Sequence, residues 1–161
     1  SLIDRRPEQQ MLPYCGAKDI KLLTYGTLAG GLLSDRYLGQ PEPGLQKLRE
    51  TVSLRKYKQM IDAWGGWELF QRLLRSLRTI ADKHDVDIAQ VAIRAIMDQP
   101  GVGGVIVGAR LGISDNREVN KRVFGFQLDE TDLAQIDEVT ADANDLFKRI
   151  GDCGDEYRRH W

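Results

Sequence analysis

Cysteine is nearly absent from this chain. Only Cys15 and Cys153 occur, far apart, and neither has a His or Cys at metal-ligand spacing. That pattern argues against a metal centre and points to a reducing, cytosol-like compartment. Net charge is also lacking: 23 Lys and Arg against 24 Asp and Glu leave −1. Neither nucleic acid nor an acidic membrane surface is therefore expected as a partner. No apolar run approaches the roughly 20 residues of a membrane span, and the N-terminus carries no signal-peptide pattern. The two histidines, His84 and His160, stand in no arrangement with a nucleophile and carboxylate that suggests a triad. The first residue is Ser1 rather than Met, which is expected of a processed, excised or recombinant segment.

What is present is an ordinary soluble balance, 42% apolar and 29% charged over 161 residues, enough for one domain with a real core. Two short apolar runs stand out, each ending in glycines. Ile20-Lys21-Leu22-Leu23-Thr24-Tyr25 leads into Gly26-Thr27-Leu28-Ala29-Gly30-Gly31, and Gly104-Val105-Ile106-Val107-Gly108-Ala109 leads into Arg110-Leu111-Gly112. A buried strand opening into a glycine loop is where α/β proteins hold phosphorylated ligands, because backbone N–H groups can face the ligand with no Cβ in the way. Neither run is followed by G-x-G-x-x-G, which argues against a doubly wound dinucleotide-binding domain.

Around these runs the pattern predicts helices. One covers Pro7 to about Lys18, with Pro7 in its first turn. After the strand at 20–25, a Gly/Pro-rich loop reaches Gly44. A short helix covers Leu54 to Ala63, and Gly65-Gly66 breaks it. The strongest runs from Trp67 to about Lys83, on a stripe of Leu69, Phe70, Leu73, Leu74, Leu77, Ile80 and Ala81. Asp87 caps the next, which ends near Asp98 before Pro100. The second strand, 104–109, precedes a helix from about Ser114 to Arg122, and Asp129 caps a last helix reaching about Phe147. Residues 151–161 read as a polar tail apart from Tyr157 and Trp161. Strands joined by helical crossovers pair in parallel, yet parallel sheets rarely occur as isolated pairs. The expectation is part of a larger parallel sheet or barrel.

At these residues the chain resembles the C-terminal half of an aldo-keto reductase. Ser1 to Glu8 looks like the segment after the family's sixth barrel strand, and Leu22 to Leu33 resembles its seventh strand and pyrophosphate loop. Ala89-Gln90-Val91-Ala92-Ile93-Arg94 matches the helix before strand eight. Val105 to Arg110, then Asn120 and Val123-Phe124, resembles the eighth strand and the adenine-side segment. The resemblance covers about residues 1–140. It implies an α/β fold, a partial TIM (β/α)8 barrel comprising the last strands with their crossover and C-terminal helices, occupying residues 1–150. It further implies NADP(H) as cofactor and a small carbonyl substrate. The family's catalytic Tyr, Asp, Lys and His come from its first four strands, so no residue here is assigned a catalytic role.

By the same resemblance, Tyr25 stacks on the nicotinamide; a tyrosine packed in the barrel wall is the alternative. Gly26, Thr27, Leu28, Ala29 and Gly30 wrap the pyrophosphate, against a plain strand-to-helix turn. Arg36 adds positive charge, or is a solvated surface arginine. Gly108 and Arg110 hold the ribose 2′-phosphate, where a charged hydrogen bond of about 1.5–3 kcal/mol favours NADP(H) over NAD(H) by roughly 10- to 100-fold. Asn116 sits near that phosphate and Asn120 on the adenine, with helix capping as the alternative for both. Two departures stand out. Val119 replaces the family's frequent Glu, and Leu111-Gly112 lengthens the loop, leaving the register between Arg110 and Asn120 open. A second expectation is a non-catalytic NADP(H)-sensing or docking module, pairing with a missing N-terminal barrel half or another protein through an open barrel edge. His84 is expected to complement a helix C-terminus. Trp64 and Trp67 are expected to pack outer helices rather than wall a substrate site. Arg72, Arg75 and Arg78 read as a solvated face.

Overall fold

Proline at position 13 divides the first helical segment. It brings no N–H to the carbonyl of Gln9, and in the computed structural model, which describes residues 1–108, 112 and 115–158, the chain turns at Gln10 (φ −132°). The single helix expected from Pro7 to Lys18 is therefore two, α1 (Arg6–Gln9) and α2 (Met11–Ala17). The first strand, β1 (Leu22–Tyr25), follows. After a long loop come α3 (Leu45–Leu48), α4 (Val52–Trp64), α5 (Gly66–Lys83) and α6 (Ile88–Met97). Then come β2 (Val102–Ile106), α7 (Arg117–Lys121), α8 (Glu130–Thr140) and α9 (Leu146–Ile150).

The two strands pair in parallel, with Leu22 beside Val102, Leu23 beside Gly104, Thr24 beside Val105 and Tyr25 beside Ile106. A bulge lies between Leu22 and Leu23. This pairing starts β2 two residues before the expected Gly104 and ends it at Ile106, because Leu22 donates to the Gly101 carbonyl at 2.9 Å and recruits Val102 into the ladder. Side chains alternate across the sheet. Leu22, Thr24 and Val105 are half-buried, Val105 against the helical core, while Leu23, Tyr25 and Ile106 face outward. The result is a helix-rich α/β unit on a small parallel sheet, as expected of part of a barrel.

The core lies between α4, α5 and α6. Phe70, Leu73, Leu74, Leu77 and Ile80 form the buried stripe of α5, against Met60, Ile61 and Trp64 of α4 and Ile88, Val91 and Ala92 of α6. The loop after β1 contributes Leu32 and Leu33, both 0% exposed. Three side chains tie that loop to the helices. Gln71 accepts from the Gly39 N–H (2.8 Å) and donates to the Tyr37 carbonyl (2.9 Å). Trp67 donates to the Gln40 carbonyl (3.0 Å) and packs on Tyr37 and Phe70. Asp35 pairs with Arg78 and accepts from the Ile88 N–H (3.0 Å). Trp64 and Trp67 are thus packing residues. Arg78, expected on a solvated face, is a tether, and Arg72 pairs with Asp142 at 2.7 Å.

The last long helix also ends early. Asn144 donates its backbone N–H to the Trp64 carbonyl (2.7 Å) and its carboxamide to that of Ala63 (3.0 Å), satisfying the C-terminus of α4. That contact stops α8 at Thr140, and Asp145 caps a separate α9 by accepting from the Phe147 N–H at 2.9 Å. The helix expected from Ser114 to Arg122 is α7 and a 3-10 turn at Arg122–Gly125; Ser114 itself lies outside the described residues. No helix is long and apolar enough to cross a membrane among the described residues.

Candidate functional site

Parallel pairing decides which groups meet. With Tyr25 beside Ile106, both glycine loops leave the sheet at the same carboxyl edge, the edge where α/β folds bind ligands. Gly26 opens the first loop. Val107 and the exposed Gly108 open the second. Tyr25 stands at this edge with 69% of its surface exposed.

The first loop is wound by left-handed backbone. Gly26 (φ 71°), Ala29 (φ 49°), Gly30 (φ 66°) and Gly31 (φ 92°) all have positive φ. For Ala29, buried to 1%, that conformation costs about 1–2 kcal/mol. The turn is closed by Ala29 N–H donating to Gly26 O (2.8 Å), Gly31 N–H to Leu28 O (2.9 Å) and Leu33 N–H to Leu28 O (3.1 Å). The N–H groups of Thr27 and Leu28 find no acceptor among the described residues. Neither does the buried Thr27 hydroxyl. Unpaired donors in a turn at a strand end suit an anionic group, so the residues present fit a pyrophosphate.

The glycines serve a second purpose. A Cβ on Gly26 would overlap the Tyr57 hydroxyl, and one on Gly30 would lie 2.9 Å from Tyr57 Cδ2. The sequence reading missed Tyr57. Its spacing of three from Leu54 and four from Ile61, both buried on α4, is the signal that places it on the inward face.

Arg36 lies in the 3-10 turn Asp35–Tyr37. It is exposed, with its guanidinium 5.8 Å from the centre of the Tyr37 ring. Asn116 occupies the position before α7, exposed, and its side chain makes no cap bond; its carbonyl accepts from the Asn120 N–H at 2.8 Å. Asn120 is half-buried in α7. That helix is carried by the turn Arg122–Gly125, which packs on α6. Tyr25, the loop Gly26–Gly30 and Gly108 are therefore brought to one edge, while Arg36 rests on Tyr37 beyond it. Arg110 lies outside the described residues.

A cleft of about 340 Å³ runs beside β1, lined by Tyr25, Gly26, Lys56, Tyr57, Arg6 and Cys153 among others. Arg6 is buried beneath it. It pairs with Asp4 (2.8 Å) and Glu156 (3.1 Å), and donates to the carbonyls of Gly151 (3.2 Å) and Asp152 (3.0 Å). Burial alone would raise the Asp4 and Glu156 carboxyls, but the bonds to Arg6 hold both below the usual range. Lys56 hydrogen-bonds the Tyr157 hydroxyl and lies 3.4 Å from Glu156. Burial pushes its ammonium down, yet the bond to Tyr157 and the nearby Tyr57, Tyr157 and Glu156 leave it above the ordinary lysine value. Burial pushes the Tyr57 phenol up against the opposing charge of Lys56, and burial with Asp4 pushes the Cys153 thiol up.

His84 also does more than complement a helix end. At the C-terminus of α5, its Nε2 lies 2.7 Å from Asp132 Oδ2 on α8. Among the described residues no group of three or more His, Cys, Asp or Glu is placed to hold a metal ion.

The Aldo/keto reductase family model matches residues 1–141. Flagellar radial spoke protein 5 of Chlamydomonas reinhardtii is 38% identical over 96 residues, 58% of this chain and 18% of that protein. Protein tas of Escherichia coli K12 is 28% identical over 139 residues, 86% of this chain and 37% of that protein. Among solved structures, the glycerol dehydrogenase AKR11B4 from Gluconobacter oxydans aligns with a TM-score of 0.65 and 21% identity over 94% of this chain and 41% of that one. That last likeness shows the fold alone. The chain spans well under half the length of each of these relatives.

Proposed function

This chain belongs to the aldo/keto reductase family, and from that premise we propose that it forms the NADP(H)-binding part of a reductase acting on aldehydes or ketones. The observation that carries the reading is the shared carboxyl edge. There the exposed Tyr25 ring and the turn with unpaired Thr27 and Leu28 N–H groups stand beside the exit of β2. When bound, NADPH supplies the hydride for the carbonyl carbon.

This chain's own part is binding and orientation. Tyr25 presents a flat ring against which the nicotinamide stacks, fixing the face that meets the substrate. Gly26, Thr27, Leu28, Ala29 and Gly30 grip the pyrophosphate through backbone donors, and Arg36 adds positive potential from beside Tyr37. Gly108 and Arg110 take the 2′-phosphate side, with Asn116 close to it and Asn120 on the adenine. The proton donor for the developing alkoxide comes from outside residues 1–161, so catalysis requires the rest of a barrel. The free thiols of Cys15 and Cys153 support a reducing, cytoplasmic setting.

A second reading is a non-catalytic NADP(H)-sensing or docking module. It is favoured by the outward sheet face, where Leu23 and Ile106 are 65% and 56% exposed.

Calorimetric titration of the chain with NADPH and NADH tests the first reading. NADPH binds about 10- to 100-fold more tightly, and Arg110→Ala removes most of that preference. Equal affinity for the two cofactors overturns the role of Arg110, and no binding of either overturns the cofactor site.

A further inference from the structure

We propose that Tyr57 is the positioning residue of the loop Gly26–Gly31, the template around which the turn is wound. For its ligand this rests on the cofactor reading above; for the loop it does not. The ring touches the loop at two points. Next to Gly26 lie its hydroxyl, Cζ and Cε1, while Gly30 faces Cδ2 on the opposite ring edge. A Cβ on Gly26 would be 3.0 Å from Cζ, and one on Gly30 would be 3.3 Å from the Ser53 carbonyl as well. Both glycines are left-handed, so side chains there would meet the ring and strain the backbone together. Between them Ala29 keeps the same handedness while buried. Such backbone persists only where its surroundings over-determine it. The surroundings here are the Tyr57 ring on one side and the anchored Leu32 and Leu33 on the other.

Tyr57 is itself braced. The Lys56 ammonium lies 5.1 Å from the Tyr57 ring centre and 4.3 Å from that of Tyr157. Lys56 also approaches Glu156, and Glu156 is pinned by the buried Arg6. A line of contacts thus runs from the C-terminal segment through α4 to the loop. The Tyr57 hydroxyl finds no hydrogen-bond partner among the described residues, so packing by the ring is what positions the turn. The unpaired N–H groups of Thr27 and Leu28 sit within that turn. Holding them in place before a ligand arrives removes an ordering cost from binding.

Amide hydrogen exchange without ligand, and NADPH titration, are measured on the wild-type chain, Tyr57→Ala and Tyr57→Phe. In Tyr57→Ala the hydrogen-bonded amides of Ala29, Gly31 and Leu33 exchange about tenfold faster or more, while those of α5 and α6 keep their protection. NADPH binds about tenfold more weakly, with the NADPH-to-NADH ratio unchanged, because the pyrophosphate is common to both. Tyr57→Phe restores protection and affinity. Unchanged loop exchange in Tyr57→Ala overturns the proposal, and so does a phenylalanine variant that behaves like the alanine one. Should Tyr57→Ala fail to fold, Gly30→Ala drives the ring away from the loop side, and unchanged protection there overturns the proposal equally. If the wild-type chain binds no NADPH, the cofactor reading fails, while loop exchange still decides the role of Tyr57.

Discussion

Asp132 is a carboxylate held by cations and caps. Its side chain is 2% exposed, accepts from Lys83 Nζ at 2.8 Å and sits 2.7 Å from His84 Nε2. It also closes a capping box with Asp129, whose N–H donates to it at 3.1 Å. Burial alone would raise its pKa, but the bonds from Lys83, His84 and the Asp129 backbone hold it below the ordinary carboxylate value. The linkage then has a definite sign. A carboxyl depressed in the folded state adds stability that is complete above the unfolded value, near 3.9, and is lost as pH falls through the lower folded value. Asp132→Asn is therefore expected to cost about 1.5–3 kcal/mol at pH 7 and to flatten the acid limb of the stability curve. Urea unfolding at several pH values between neutrality and the acid transition checks this. An unchanged acid limb would mean that Asp132 is not a source of the acid sensitivity.

The loop from Gly26 to Gly44 illustrates how an irregular element is fixed without regular structure. Leu32 and Leu33 are fully buried in the core, and Gln71, Trp67 and Asp35 hold the loop's backbone. Leu33→Ala removes a fully buried anchor and is expected to cost about 2–5 kcal/mol. The exposed neighbour Arg36→Ala should stay within about 0.5 kcal/mol. Thermal unfolding of both variants separates them, and equal losses would refute the anchoring role. Elements of this chain were legible in proportion to their periodicity. The stripe of α5 and the caps at Asp87 and Asp129 stand in the sequence because each depends on neighbours three or four residues away. The break at Gln10 depends on Pro13, three residues away, and is a local signal of the same kind. The end of α8 was not readable, since Asn144 stops the helix by bonding carbonyls at positions 63 and 64. The same limit applies to the site. Tyr25 and the glycines lie together in the sequence, whereas Tyr57 meets them only through packing, and the bracing of Lys56 by Glu156 joins positions 100 residues apart.

At the scale of the molecule, the sheet is what departs from ordinary design. Parallel strands are normally covered on both faces, yet Leu23, Tyr25 and Ile106 are 65%, 69% and 56% exposed on one face. One glycine, Gly104, lies beside Leu23 on that face and leaves it low and flat. An apolar face next to strand edges favours association, and charge placed on it opposes association. The chain is expected to self-associate with rising concentration on a sizing column. The double variant Leu23→Lys with Ile106→Lys should run as a monomer with its melting temperature within a few degrees of wild type. On the proposed reading, in which the proton donor lies outside residues 1–161, association adds no acid, because every copy brings the same residues. NADPH oxidation with an aldehyde should therefore stay at the blank rate in both the associated and the monomeric protein. Turnover by the associated chain that vanishes in the double variant would instead mean that one copy completes the site of another. A wild-type chain that stays monomeric at high concentration would remove the sheet face as a docking surface and leave cofactor binding as this chain's proposed role.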